Sequence, residues 1–169
     1  MRVIRLAIPF IMLSVLSCTN EPKLKITNYT MSYKDTLIDK TFPFIDTLLI
    51  KYGEFFPVAA AIKTDGTLAS VATYDGNERP LSDGVIESLK EALREGYKKG
   101  EYVAGVIFYD VRVIDPFTKE KKDAVAVLYE SANDNVAKKY FYPYILTKER
   151  ELSYTEGWND TLEKEVFIR

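Results

Sequence analysis

A chain of 169 residues, 47% hydrophobic and 28% charged, has room for one domain with its own core. Its formal net charge of −2 offers no basic excess for holding nucleic acid. Histidine is absent and cysteine occurs once, so the commonest general base and zinc ligand are missing and no disulfide can form within the chain.

In chain order, the first eighteen residues divide into three parts. Arg2 and Arg5 give a positive start, Leu6 to Leu16 is uncharged and largely apolar, and small Ser17 precedes Cys18. That is the layout of a secretory signal. The apolar stretch falls short of the roughly 20 residues that span a bilayer. Val15-Leu16-Ser17-Cys18 resembles the lipobox of bacterial lipoproteins. The resemblance implies that residues 1–17 are removed, that Cys18 is acylated, and that the membrane is engaged through this lipid. An ordinary secretory signal with a chance cysteine is the alternative. Residues 18–33 are polar, contain Pro22 and suit a tether. Without residues 1–17 the chain has 21 basic and 25 acidic side chains, a net charge of −4.

Residues 34–169 read as a single domain. A first helix is predicted over Asp35–Tyr52 from Ile38, Phe42, Ile45, Leu48, Leu49 and Tyr52, with Gly53 as its stop. Pro43 either kinks it or marks where its regular part begins. Phe55–Ile62 and Leu68–Thr73 form a hairpin about Asp65-Gly66. Tyr74–Asp83 is a loop, and Gly84–Lys99 a second helix capped by Ser82 or Asp83, with Ile86, Leu89, Leu93 and Tyr97 inward.

Three strands follow as a meander: Tyr102–Ile114, Ala124–Tyr129 and Val136–Leu146, the last placed at an edge or a bulge by Pro143. Asn159 is positioned to cap a short final helix through Phe167. The expected fold is therefore α+β, a five-stranded mainly antiparallel sheet with two helices on it and that short C-terminal helix. Small residues such as Ala59, Ala61 and Gly105 would let a helix approach the sheet closely. The order of elements resembles that of profilin-like and roadblock-type domains, which implies nothing about activity.

Two places are candidate binding sites. Tyr140, Tyr142 and Tyr144 share one face of the last strand, with at least one ring expected to be substantially exposed. The plainer reading is that they cover the sheet beneath a helix. In the loop, Arg79 can hold a carboxylate while Asp75 and Glu78 accept hydrogen bonds, although a solvated strand-to-helix connection explains the same residues. Asp110 and Arg112 share a face and can pair with each other or with the neighbouring strand. Glu130 and Glu54 are free-standing carboxylates with no spacing that defines a dyad. Lys119, Lys121 and Lys122 read as a solvated hairpin tip.

No nucleotide, metal or hydrolase motif is present, so no catalytic residue, metal ligand or cofactor is assigned. The expected function is a lipid-anchored binding protein of the bacterial envelope, at the outer membrane or periplasmic face, with a protein partner. An immunity-type protein or an accessory subunit fits that description. The alternative is a small carboxylate-dependent envelope enzyme acting on glycan or cell-wall material.

Overall fold

Helix α1, Tyr33–Tyr52, starts where the Ser32 side chain accepts the Asp35 N–H and stops where Gly53 turns left-handed at φ 87°. Pro43 lies inside it and neither starts nor breaks it. The carbonyl that its missing N–H leaves unpaired is that of Asp39, and both residues are exposed, so water can serve instead. The computed structural model describes residues 32–73 and 81–168, and the loop candidates Asp75, Glu78 and Arg79, like Cys18, lie outside them.

Strands β1 (Val58–Lys63) and β2 (Leu68–Val71) form the predicted hairpin, with Gly66 at φ 83°. The Asp65 carboxylate accepts the N–H and the hydroxyl of Thr67, which fixes the turn. Helix α2 spans Ser82–Lys98. Its N-cap is Leu81, without a side-chain bond, so neither Ser82 nor Asp83 caps it as predicted. Gly100, at φ 74°, donates its N–H to Tyr97 O just past the helix end.

Strands β3 (Tyr102–Ile114), β4 (Lys121–Ser131) and β5 (Ala137–Leu146) form the meander. Two short strands then return to β5: β6 (Leu152–Tyr154) pairs with Tyr144–Leu146, and β7 (Trp158–Leu162) pairs with Ala137–Phe141. Among the described residues the sheet thus has seven strands rather than five, and β7 stands where the final helix was expected. A one- or two-turn helix would have left the outer backbone groups of β5 without partners, and β7 supplies them.

The same two strands overturn the edge position of β5, which has neighbours on both sides. Pro143 falls in the gap where β7 has ended and β6 has not begun. Its carbonyl accepts the Thr155 N–H on that outer side. The N–H that proline lacks would have pointed to the same side, so no ladder bond is lost.

A helix lies on each face of the sheet. Under α1, Leu37, Ile45 and Leu49 meet Ala60, Val106, Phe108, Val125 and Val127. Under α2, Leu89 and Leu93 meet Ala59, Ala61 and Ile107, joined by Val166 and Phe167 of the C-terminal segment. This is why Tyr102–Ile114 begins apolar on both faces. At Gly105 an added Cβ would lie 2.9 Å from Leu93 Cδ2 and 3.2 Å from Phe167 Cε2, so a larger residue there would force these buried side chains to shift.

The β3–β4 turn carries a buried acid. Lys122 Nζ donates to Asp115 Oδ2 at 2.7 Å, and the N–H groups of Phe117 and Thr118 donate to Oδ1. The lysine, followed by these N–H groups, pulls the Asp115 carboxyl down to about 2 from its ordinary 3.8. A depressed carboxyl contributes stability in full above its unfolded value and loses it as pH falls toward the folded one. Stability should therefore drop between about pH 4 and pH 2, and Asp115→Asn should flatten that part of the profile. Denaturant midpoints across pH 2 to 5 test this, and parallel curves for the two proteins would contradict it.

Candidate functional site

The tyrosines of β5 share one face, but α1 covers it. Tyr140, Tyr142 and Tyr144 are each half-buried, so the expected exposed ring is not found. The Phe42 ring of α1 meets Tyr142 edge-on at 4.9 Å and Tyr154 at 5.5 Å. Tyr144 donates its hydroxyl to Asp110 Oδ1 at 2.9 Å, and Tyr154 donates to Asp46 Oδ1 at 2.6 Å. Burial raises both hydroxyls well above the ordinary tyrosine range, with the neighbouring carboxylates adding to it. Such groups stay protonated and hold β5 and β6 in place.

Asp110 and Arg112 do not pair with each other. Arg112 forks onto Asp123, with Nε to Oδ1 at 2.7 Å and Nη2 to Oδ2 at 3.1 Å, across the β3–β4 ladder. Asp110 is half-buried, and desolvation raises its carboxyl while the Tyr144 bond works against that rise. It lines none of the larger cavities. Glu130, 3% exposed, has both oxygens engaged: Oε1 accepts the Glu165 N–H, and Oε2 accepts those of Val166 and Phe167. It is a clamp on the C-terminal segment. Among the described residues no group of three or more carboxylates is placed to hold a metal ion.

An open feature lies on the other side of α1. Phe44, Leu48 and Tyr52, four residues apart, form a ridge along that helix. Phe44 is 54% and Tyr52 59% exposed. Beside the ridge run two adjoining concavities that share Pro57 and Val58. One, about 370 Å³, has the β1–β2 edge as its floor and is walled by Lys40, Thr41 and Phe44 from α1 and by Val85 and Leu89 from α2. The other, about 560 Å³, is bounded by Leu48, Tyr52, Glu54, Phe56 and Ser82. Phe56 is 59% and Leu81 84% exposed near the start of α2. Large apolar side chains grouped around a groove are the usual mark of a docking surface.

Why the chain folds this way here is local. Pro57 is buried and leads into β1, while Val58–Lys63 alternates toward the two helices, so both helices overhang one edge of the sheet. The helical period in the sequence includes Leu48, which does pack partly against the core, and Tyr52, which is exposed, but it passes over Phe44. The available signal was that α1 carries more apolar residues than one stripe can use: Phe42, Ile45 and Leu49 on one side, Phe44, Leu48 and Tyr52 on another. Compared with protein families, with curated proteins and with solved structures, the chain matches none.

Proposed function

We propose that this chain is a lipid-anchored binding protein of the bacterial envelope, tethered through Cys18 and engaging a protein partner with the groove beside α1. An immunity-type protein or an accessory subunit would have this design. The observation that carries the reading is the groove itself, two adjoining, mostly apolar concavities flanked by exposed Phe44, Tyr52 and Phe56. Support for the anchor comes from the signal-like residues 1–17 ahead of Cys18 and from the polar sequence that follows it. No helix among the described residues is long and apolar enough to cross a membrane.

The enzyme alternative has less behind it. Glu130 is occupied by backbone N–H groups, and Asp110, the carboxylate raised by burial, faces a tyrosine rather than a cavity.

Two measurements test the proposal. Cys18→Ser should abolish labelling by a fatty-acid analogue and leave the chain either uncleaved or, after cleavage elsewhere, soluble. An unacylated wild-type chain would contradict the anchor. Phe44→Asp, at an exposed position, should leave the fold intact yet weaken partner capture, since aromatic anchors carry about 1–4 kcal/mol each. Identical capture by wild type and variant would contradict the groove.

A further inference from the structure

The way the groove takes its partner can be read from the backbone of β2, and this inference rests on the binding reading above. Strand β2 ends the sheet, and among the described residues its outer edge pairs with no strand. The bond from Lys63 N–H to Thr67 O fixes the phase of the hairpin ladder. Alternation then makes Ala61–Ala69 and Ala59–Val71 the mutually bonded pairs. The N–H and C=O groups of Leu68 and Ser70 are left pointing out of the sheet.

Open edges are ordinarily guarded by charge, proline, a bulge or a covering element. The residues Leu68-Ala69-Ser70-Val71 carry neither charge nor proline. This edge lies instead at the bottom of a slot, with α1 rising on one side and α2 on the other. A strand laid there would be covered on both faces, as a central strand is, so its successive side chains must be apolar on both sides. Among the described residues the only ammonium lining the slot is that of Lys40, and it makes no ion pair with them.

We propose that the slot binds an extended segment of a partner protein by strand addition to β2, the segment being apolar at successive positions and carrying one carboxylate opposite Lys40. Main-chain bonds to Leu68 and Ser70 supply the grip. Phe44 on one wall and Val85 with Leu89 on the other read the side chains.

The test uses the full chain in phosphatidylcholine vesicles and the fluorescent peptide acetyl-Thr-Val-Ile-Val-Glu-Val-Thr-amide, with binding read by co-sedimentation. Ser70→Pro removes an outward N–H that bonds to no strand among the described residues, so the sheet is kept. Peptide affinity should fall at least tenfold with this variant. N-methylation of the peptide's central residues should do the same with the wild-type protein, which keeps the test valid should Ser70→Pro perturb folding. Lys40→Gln should weaken the peptide severalfold but leave its Glu-to-Gln counterpart unchanged.

Affinity within twofold for both Ser70→Pro and the N-methylated peptide would overturn strand addition. Absence of peptide binding would also overturn it. A Ser70→Cys chain that oxidises to a disulfide-linked dimer without peptide would assign the slot to a second copy, against the proposal. If Ser70→Pro retains the natural partner and Phe44→Asp loses it, the groove stands and strand addition falls.

Discussion

Glu130→Ala is expected to destabilise the domain by about 3–5 kcal/mol, because a buried carboxylate that satisfies several backbone N–H groups leaves them all unpaired when it goes. The three N–H donors belong to Glu165, Val166 and Phe167, at 2.9 to 3.1 Å, and the last two residues are buried. With the clamp gone, Phe167 should leave its seat beside Gly105 and Leu93. Other ties remain: Arg94 donates twice to Glu165 O, and Lys164 Nζ donates to Ser131 O and Asp134 O. The segment should therefore loosen rather than detach. Urea denaturation gives the energy, and hydrogen exchange at residues 165–167 should accelerate well beyond the global change. Glu130→Gln keeps one acceptor oxygen but places an NH2 against N–H donors, so its cost should fall between zero and that of alanine. A loss below about 1 kcal/mol for Glu130→Ala would show that the clamp is idle.

Phe108→Ala should cost a similar amount, about 3–5 kcal/mol, for a different reason. Its ring is fully buried on the α1 face, 5.5 Å from Phe42 and edge-on to it. Truncation removes apolar area and an aromatic contact, and leaves a cavity between α1 and β3 that neighbours on a central strand cannot collapse to fill. A melting temperature lowered by roughly 10–20 °C is the expected reading for a domain of this size. Because Phe42 and Phe108 are in direct contact, Phe42→Ala and Phe108→Ala should be non-additive in a double-mutant cycle.

Long, strongly patterned segments were legible in the sequence. Both helices, the hairpin at Asp65-Gly66 and the three long strands follow from periodicity and turn residues, with ends within a few positions. The short strands were not legible. Leu152–Tyr154 and Trp158–Leu162 have little propensity of their own and are strands because β5 offers an edge to bond. The same fact inverted the reading of Pro143, whose missing N–H signals a gap between two partners rather than an edge.

The candidate site was less readable than the fold. Tyr140, Tyr142 and Tyr144 do share a face, but their exposure depended on where α1 lies, and the Phe42 ring settles that. The groove joins Lys40–Phe44, Pro57–Ala60, Leu68–Thr73 and Val85–Leu89, four stretches brought together only by the packing of two helices over one sheet edge. No local pattern encodes that meeting. The surplus of apolar residues on α1 was its one trace. Glu130 also left a trace, as an acid that directly follows the apolar run Ala124–Tyr129 and alternates onto the same face as Ala126 and Leu128.

The most direct test of the whole account is photo-crosslinking in intact cells, with a photoreactive residue at Phe44 of the full-length chain. One dominant adduct with another protein is expected in the membrane fraction, absent when the probe sits at Ile145, exposed on a different part of the surface. No adduct from Phe44, or the same adduct from both positions, would contradict it.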